Sequence, residues 1–138
     1  MNTDTLNTLV TEAIWRAEEL ESRGIPSVLA WAEVSSLEEN LASAHPVSEG
    51  QGRIARRGAV RAALKAGDYS RAYALADRYL AEDGAPESLK AALGTILEDD
   101  AHAIVSRFQY ASKHHSLREA QGLAERLRAG GPFGLAAA

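Results

Sequence analysis

The chain has 138 residues and a formal net charge of −4. That is long enough for one domain with a substantial core, and the charge argues against wholesale attraction to nucleic acid or anionic lipid. With no cysteine, disulfides, thiolate metal sites and a cysteine nucleophile are excluded. Alanine is abundant, glycine and proline are sparse within the periodic segments, and no alternating β-branched run occurs. The expected fold is therefore all-α, with five to six helices as successive antiparallel hairpins in a single domain over residues 1–132 and a loose tail at 133–138.

The first helix is expected over residues 5–23, with Leu6, Leu9, Val10, Ala13, Ala17 and Leu20 at helical spacing and Gly24 ending it. Trp15 falls nearly opposite Leu6 on the wheel, so another helix of the domain covers it or it meets a partner. Pro26 suits the first turn of a second helix reaching residue 44, with Ala30, Val34, Leu37, Leu41 and Ala44 in its stripe and Trp31 on the flank. His45 and Pro46 close it.

Residues 47–58 read as the longest connection in the chain, and the third helix holds clearly from 58 to 66 on Val60, Ala63 and Leu64. Projected backward, the same face carries Arg53, Arg56 and Arg57, which implies a late helix start or an overhang past the core. Gly67 and Asp68 then supply a glycine stop and a cap for a fourth helix over 69–83, with Tyr69, Ala72, Tyr73, Ala76 and Leu80 on one side.

The run Gly67-Asp68-Tyr69, with Ala72, the Tyr79-Leu80 pair and Asp83, resembles the second half of a tetratricopeptide repeat. Tyr79 and Gly84 depart from the Ala and Pro usual there. The resemblance covers roughly residues 53–86, and it implies closely packed helical hairpins that bind a peptide or protein in a groove between them.

Gly84 and Pro86 separate a fifth segment carrying Leu89, Ala92, Leu93 and Ile96. Continuing it would place Asp100 in the apolar stripe, so two readings stand side by side: one long helix, or a break with Asp99 or Asp100 capping a new helix through Ile104, Val105, Phe108 and Ala111. Lys113, His114 and His115 read as a turn. Ser116 and Glu119 form a capping box for a last helix that Gly130-Gly131-Pro132 ends, beyond which Phe133 or Leu135 docks on the bundle or stays loose.

Chemistry has few footholds. Glu98 or Asp99 with His102 has metal-ligand spacing, but a carboxylate-bridged bundle site needs a second such motif, which is lacking. Gly50 and Gly52 lack the spacing and lysine of a phosphate loop, and no nucleophile elbow occurs. No catalytic, metal-binding or cofactor-binding residue is assigned, and no cofactor is expected.

The cluster Arg53, Arg56, Arg57, Arg61 and Lys65 is the main candidate. It suits an acidic partner segment or a phosphate, against the alternative of pairing inside the molecule with Glu38, Glu39 or Glu49. No aromatic residue is interleaved to stack bases. The expected role is a non-enzymatic protein-interaction or adaptor domain, self-association included, with Trp15, Arg53, Arg56, Arg57 and Arg61 contacting a protein or peptide partner. A nucleic-acid- or polyanion-associated regulator is the second reading and a helical metalloprotein the third. The N-terminal residues lack the basic start and apolar run of a signal peptide, and no apolar segment approaches the ~20 residues that cross a bilayer, so a cytoplasmic protein without membrane association is expected.

Overall fold

The computed structural model describes the backbone of residues 2–114 and the side chains of residues 2–102. Those residues form five helices: α1 (Thr3–Ser22), α2 (Val28–Ala44), α3 (Gly50–Lys65), α4 (Tyr69–Leu80) and α5 (Glu87–His114). Their boundaries follow from local chemistry. The Asn2 side chain accepts from the Thr5 amide at 2.8 Å and opens α1, and Asp68 does the same for α4 through the Arg71 amide at 3.1 Å. Gly67 takes φ +73° just after α3, a conformation that costs glycine least, so α3 can stop and α4 start within three residues.

Successive helices pack on one another: α1 on α2, α2 on α3, and α3 on α4. A larger core cluster joins Leu6 and Val10 of α1, Leu41 of α2, Ala55, Ala59, Val60, Ala63 and Leu64 of α3, Ala72, Leu75, Ala76 and Tyr79 of α4, and Leu89 and Leu93 at the start of α5. A smaller one gathers Ala13, Ala17, Trp31, Val34 and Ala62. Alanine dominates the contact faces, which brings the helix axes close and makes packing rather than side-chain bulk the source of cohesion.

The chain divides after Glu98 into two compact units. The first holds α1 to α4 and the opening turns of α5. Of the second, the structure describes the continuation of α5 as far as His114. Of the two readings of this segment, the one long helix holds: Asp100 is only partly exposed and interrupts nothing. The turn expected at Lys113, His114 and His115 does not begin there, since α5 runs on through His114; His115, the capping box at Ser116 and Glu119, and the tail from 133 lie outside the described residues.

Two faces differ from the wheel-based expectation. Helix α2 has a neighbour on either side and so buries a wider face, taking in Trp31, Ser35 and Glu38 while Ala44 is left exposed. It also begins at Val28 rather than at Pro26. Helix α4 turns Tyr79 and Leu75 inward in place of Tyr73, which is 49% exposed. No helix among the described residues is long and apolar enough to cross a membrane.

Candidate functional site

Helix α3 begins at Gly50, so Arg53, Arg56, Arg57 and Arg61 all lie on regular helix and its geometry sorts them. At 100° per residue, Arg56 falls in the middle of the core face with Ala59, Val60 and Ala63, whereas Arg57 and Arg61 fall on the opposite side with Ile54, Gly58 and Lys65. Arg56 is accordingly buried, 6% exposed. Its guanidinium donates to the Glu82 carboxylate at 2.9 Å and to the carbonyls of His45 and Gly52 at 3.1 and 2.8 Å, and lies 5.4 Å from the Tyr79 ring centroid. Neither a late start nor an overhang is needed: the core accommodates the arginine by pairing it.

Arg53 turns to the connection before α3, donating to the carbonyls of Ser48 and Val47 at 2.7 and 3.3 Å. It thereby ties residues 47 and 48 down onto the helix start. The approach is closest at Gly52, where a Cβ would lie 2.1 Å from the Pro46 carbonyl oxygen. Glycine there is what lets the chain pass.

Arg57 and Arg61 remain. They line a cleft of about 450 Å³ with Ile14 and Glu18 of α1, Trp31, Val34 and Glu38 of α2, and Ile54, Gly58, Ala62 and Lys65 of α3. Among the described residues neither guanidinium makes a direct ion pair, although Glu39 is held by both Arg71 and Arg78 and Glu82 by Arg56. Lys65 bridges to Glu21 at 3.6 Å and places its ammonium 4.7 Å from the Trp31 ring centroid, a cation–π contact that covers one edge of the cleft.

Glu38 is the cleft's unusual group. It is 6% exposed, and its carboxyl lies over Gly58, where a Cβ would come within 2.6 to 2.9 Å of its carbon and oxygens. Among the described residues its Oε2 finds no hydrogen-bond partner, and neither does Nε1 of Trp31, which lines the same cleft. Burial pushes the carboxyl up to about 7, with Arg61 opposing the shift. A carboxylate on the apolar side of a helix pair carries no pattern that marks it as buried, and sequence reasoning considered Glu38 only as a surface partner for arginine.

No family model, curated protein or solved structure matches this chain.

The same helix pair carries a contrasting network. Ser35, fully buried, donates to the Ala59 carbonyl at 2.8 Å and accepts from Arg71 Nε at 3.0 Å, while Arg71 and Arg78 clasp Glu39 at 2.7 and 2.6 Å. Those hydrogen bonds hold Glu39 below the usual carboxylate range. Adjacent carboxylates on α2 thus have opposite fates: Glu39 is satisfied and ties α2 to α4, and Glu38 is left facing the cleft.

Trp15 stands 67% exposed, so no described helix covers it. On the wheel it lies about 60° from Glu18, on the flank of the cleft's α1 wall. Ile54, 59% exposed, forms the opposite wall. Glu98, Asp99 and His102 are exposed on α5, and among the described residues no three His, Asp or Glu side chains converge as a metal-binding group.

Proposed function

We propose that the chain is a non-enzymatic interaction domain that takes a segment of a protein partner in the cleft between α1, α2 and α3. The observation that carries this reading is the cleft's composition: apolar walls of Ile14 and Ile54, two arginines that make no ion pair among the described residues, and an indole exposed on its margin. Apolar surface rimmed by unpaired guanidinium groups is the composition of binding surfaces rather than of solvated helix faces. The resemblance of residues 53–86 to a tetratricopeptide repeat supports the same kind of role.

The polyanion reading loses part of its footing, because Arg53 and Arg56 are engaged within the fold. Of that cluster, Arg57 and Arg61 alone make no ion pair among the described residues and are left to meet a phosphate backbone. The test is affinity capture of the tagged chain from its native lysate beside Arg57→Ser/Arg61→Ser and Trp15→Ala variants. A protein retained by the wild type, lost from a variant and rebound on reconstitution from purified components supports the reading. Retention of nucleic acid alone, lost from the arginine variant, replaces it with the polyanion role. Sedimentation of the purified chain tests whether the partner is a second copy.

A further inference from the structure

The cleft's charge differs from that of the chain. The whole molecule carries −4, yet the cleft presents Arg57, Arg61 and Lys65 against Glu18 and a Glu38 shut away from solvent. The cations are regularly spaced. Ile54, Arg57, Gly58, Arg61 and Lys65 follow one another along a single face of α3, about 16 Å long, which matches roughly three turns of an incoming helix. Gly58 sits in the middle of that face with no side chain, and the Glu38 carboxyl occupies the space a Cβ would need there. Two of the buried polar atoms that have no hydrogen-bond partner among the described residues, Glu38 Oε2 and Trp31 Nε1, belong to residues lining the same cleft.

Resting on the reading of this cleft as a peptide site, we infer that its occupant is an acidic amphipathic segment of the partner, with carboxylates on Arg57 and Arg61 and apolar side chains on Ile14 and Ile54. Arginine favours carboxylate by bidentate geometry, and desolvation by the apolar walls strengthens each such pair. A basic segment would meet three cations at close range. A nucleic acid would gain few phosphate contacts on so short a basic stripe and would leave the apolar walls unused.

Binding is coupled to a proton. Every charged group facing the Glu38 carboxyl across the cleft counts: Glu18 from α1 and Arg57, Arg61 and Lys65 from α3. Burial already holds Glu38 protonated up to about pH 7, and an anion seated above it extends that range. The segment therefore binds with uptake of a proton, and affinity falls as pH rises through neutrality.

The test is selection of a phage-displayed random 16-residue peptide library on the immobilised full chain at pH 6.5, followed by titration of the enriched peptide, made synthetically, against wild type, Arg57→Ser/Arg61→Ser and Glu38→Gln. Thermal melts verify that each variant is folded. The expected result is enrichment of Asp or Glu spaced three or four residues from large apolar residues. The peptide should lose at least tenfold in affinity against the arginine variant and several-fold between pH 6 and pH 8, with the pH effect gone in Glu38→Gln. Enrichment of basic or uncharged peptides that compete for the cleft overturns the acidic occupant and leaves the peptide site standing. Acidic peptides that bind the arginine variant equally well also overturn it. Failure to enrich any peptide removes both this inference and the peptide reading beneath it.

Discussion

At the scale of single residues, the decisive contrast is between groups of the same type placed on opposite sides of one helix. Glu38 keeps its proton up to about pH 7 in the folded chain and releases it near 4 to 5 when unfolded, so between those values the folded state binds more protons and stability falls as pH rises. The loss is complete somewhat above pH 7 and amounts to about 3 kcal/mol. Urea unfolding from pH 4 to pH 8 should show this slope in the wild type, and Glu38→Gln should flatten it and be the more stable protein at pH 8. An unchanged slope would place the titrating group elsewhere. Arg56 and Arg57 make the second contrast. Replacing Arg56 with Met strands Glu82 and the carbonyls of His45 and Gly52 and should cost about 3 kcal/mol, whereas Arg57→Ala should change stability by less than about 0.5 kcal/mol. Equal losses, measured by the same unfolding curves, would contradict the sorting of the cluster.

At the scale of elements, α3 organises the first unit, since it packs on both α2 and α4 and lends its remaining face to the cleft. Its glycines are placed for its neighbours. Gly52→Ala drives a methyl group into the Pro46 carbonyl at 2.1 Å, backbone that cannot swing aside, and should destabilise by more than about 2 kcal/mol. Gly58→Ala meets only the end of the Glu38 side chain, which can turn out toward solvent, while alanine gains about 1 kcal/mol in helix propensity. That variant should hold its melting temperature and lose much of the pH dependence of Glu38, an outcome read in the same titration. The all-α class, the hairpin order and the Gly67-Asp68 turn were legible in sequence because caps and glycine stops are local signals. The start of α3 was not, because a run holding Arg53, Arg56 and Arg57 resembles a solvated connection until Glu82, twenty-six residues on, comes to pair with Arg56. The cleft was half legible: Trp15 and the arginines stood out by type, but which arginines remained available depended on tertiary contacts. Glu38 gave no signal, since its burial comes from α2 lying between two neighbours.

At the scale of the whole molecule, the division after Glu98 separates two questions that the continuous helix α5 runs together. Every described residue of both core clusters precedes Asp99, with Leu89 and Leu93 as the contribution of α5, and so does every residue lining the cleft. Residues 1–98 therefore contain the apolar surface that drives their own folding. A chain ending after Glu98 should unfold in a single cooperative urea transition, within about 1 kcal/mol of the first transition of the full chain, and should bind the same selected peptide with the same affinity. The comparison is informative because stability and recognition can fail separately. Cooperative unfolding with lost affinity would mean that the later residues belong to the binding surface, although the cleft's walls all come from α1, α2 and α3. Loss of the cooperative transition would mean that Leu89 and Leu93 are held in the core only when α5 continues past Glu98, making the helix, rather than the four before it, the element that completes the unit.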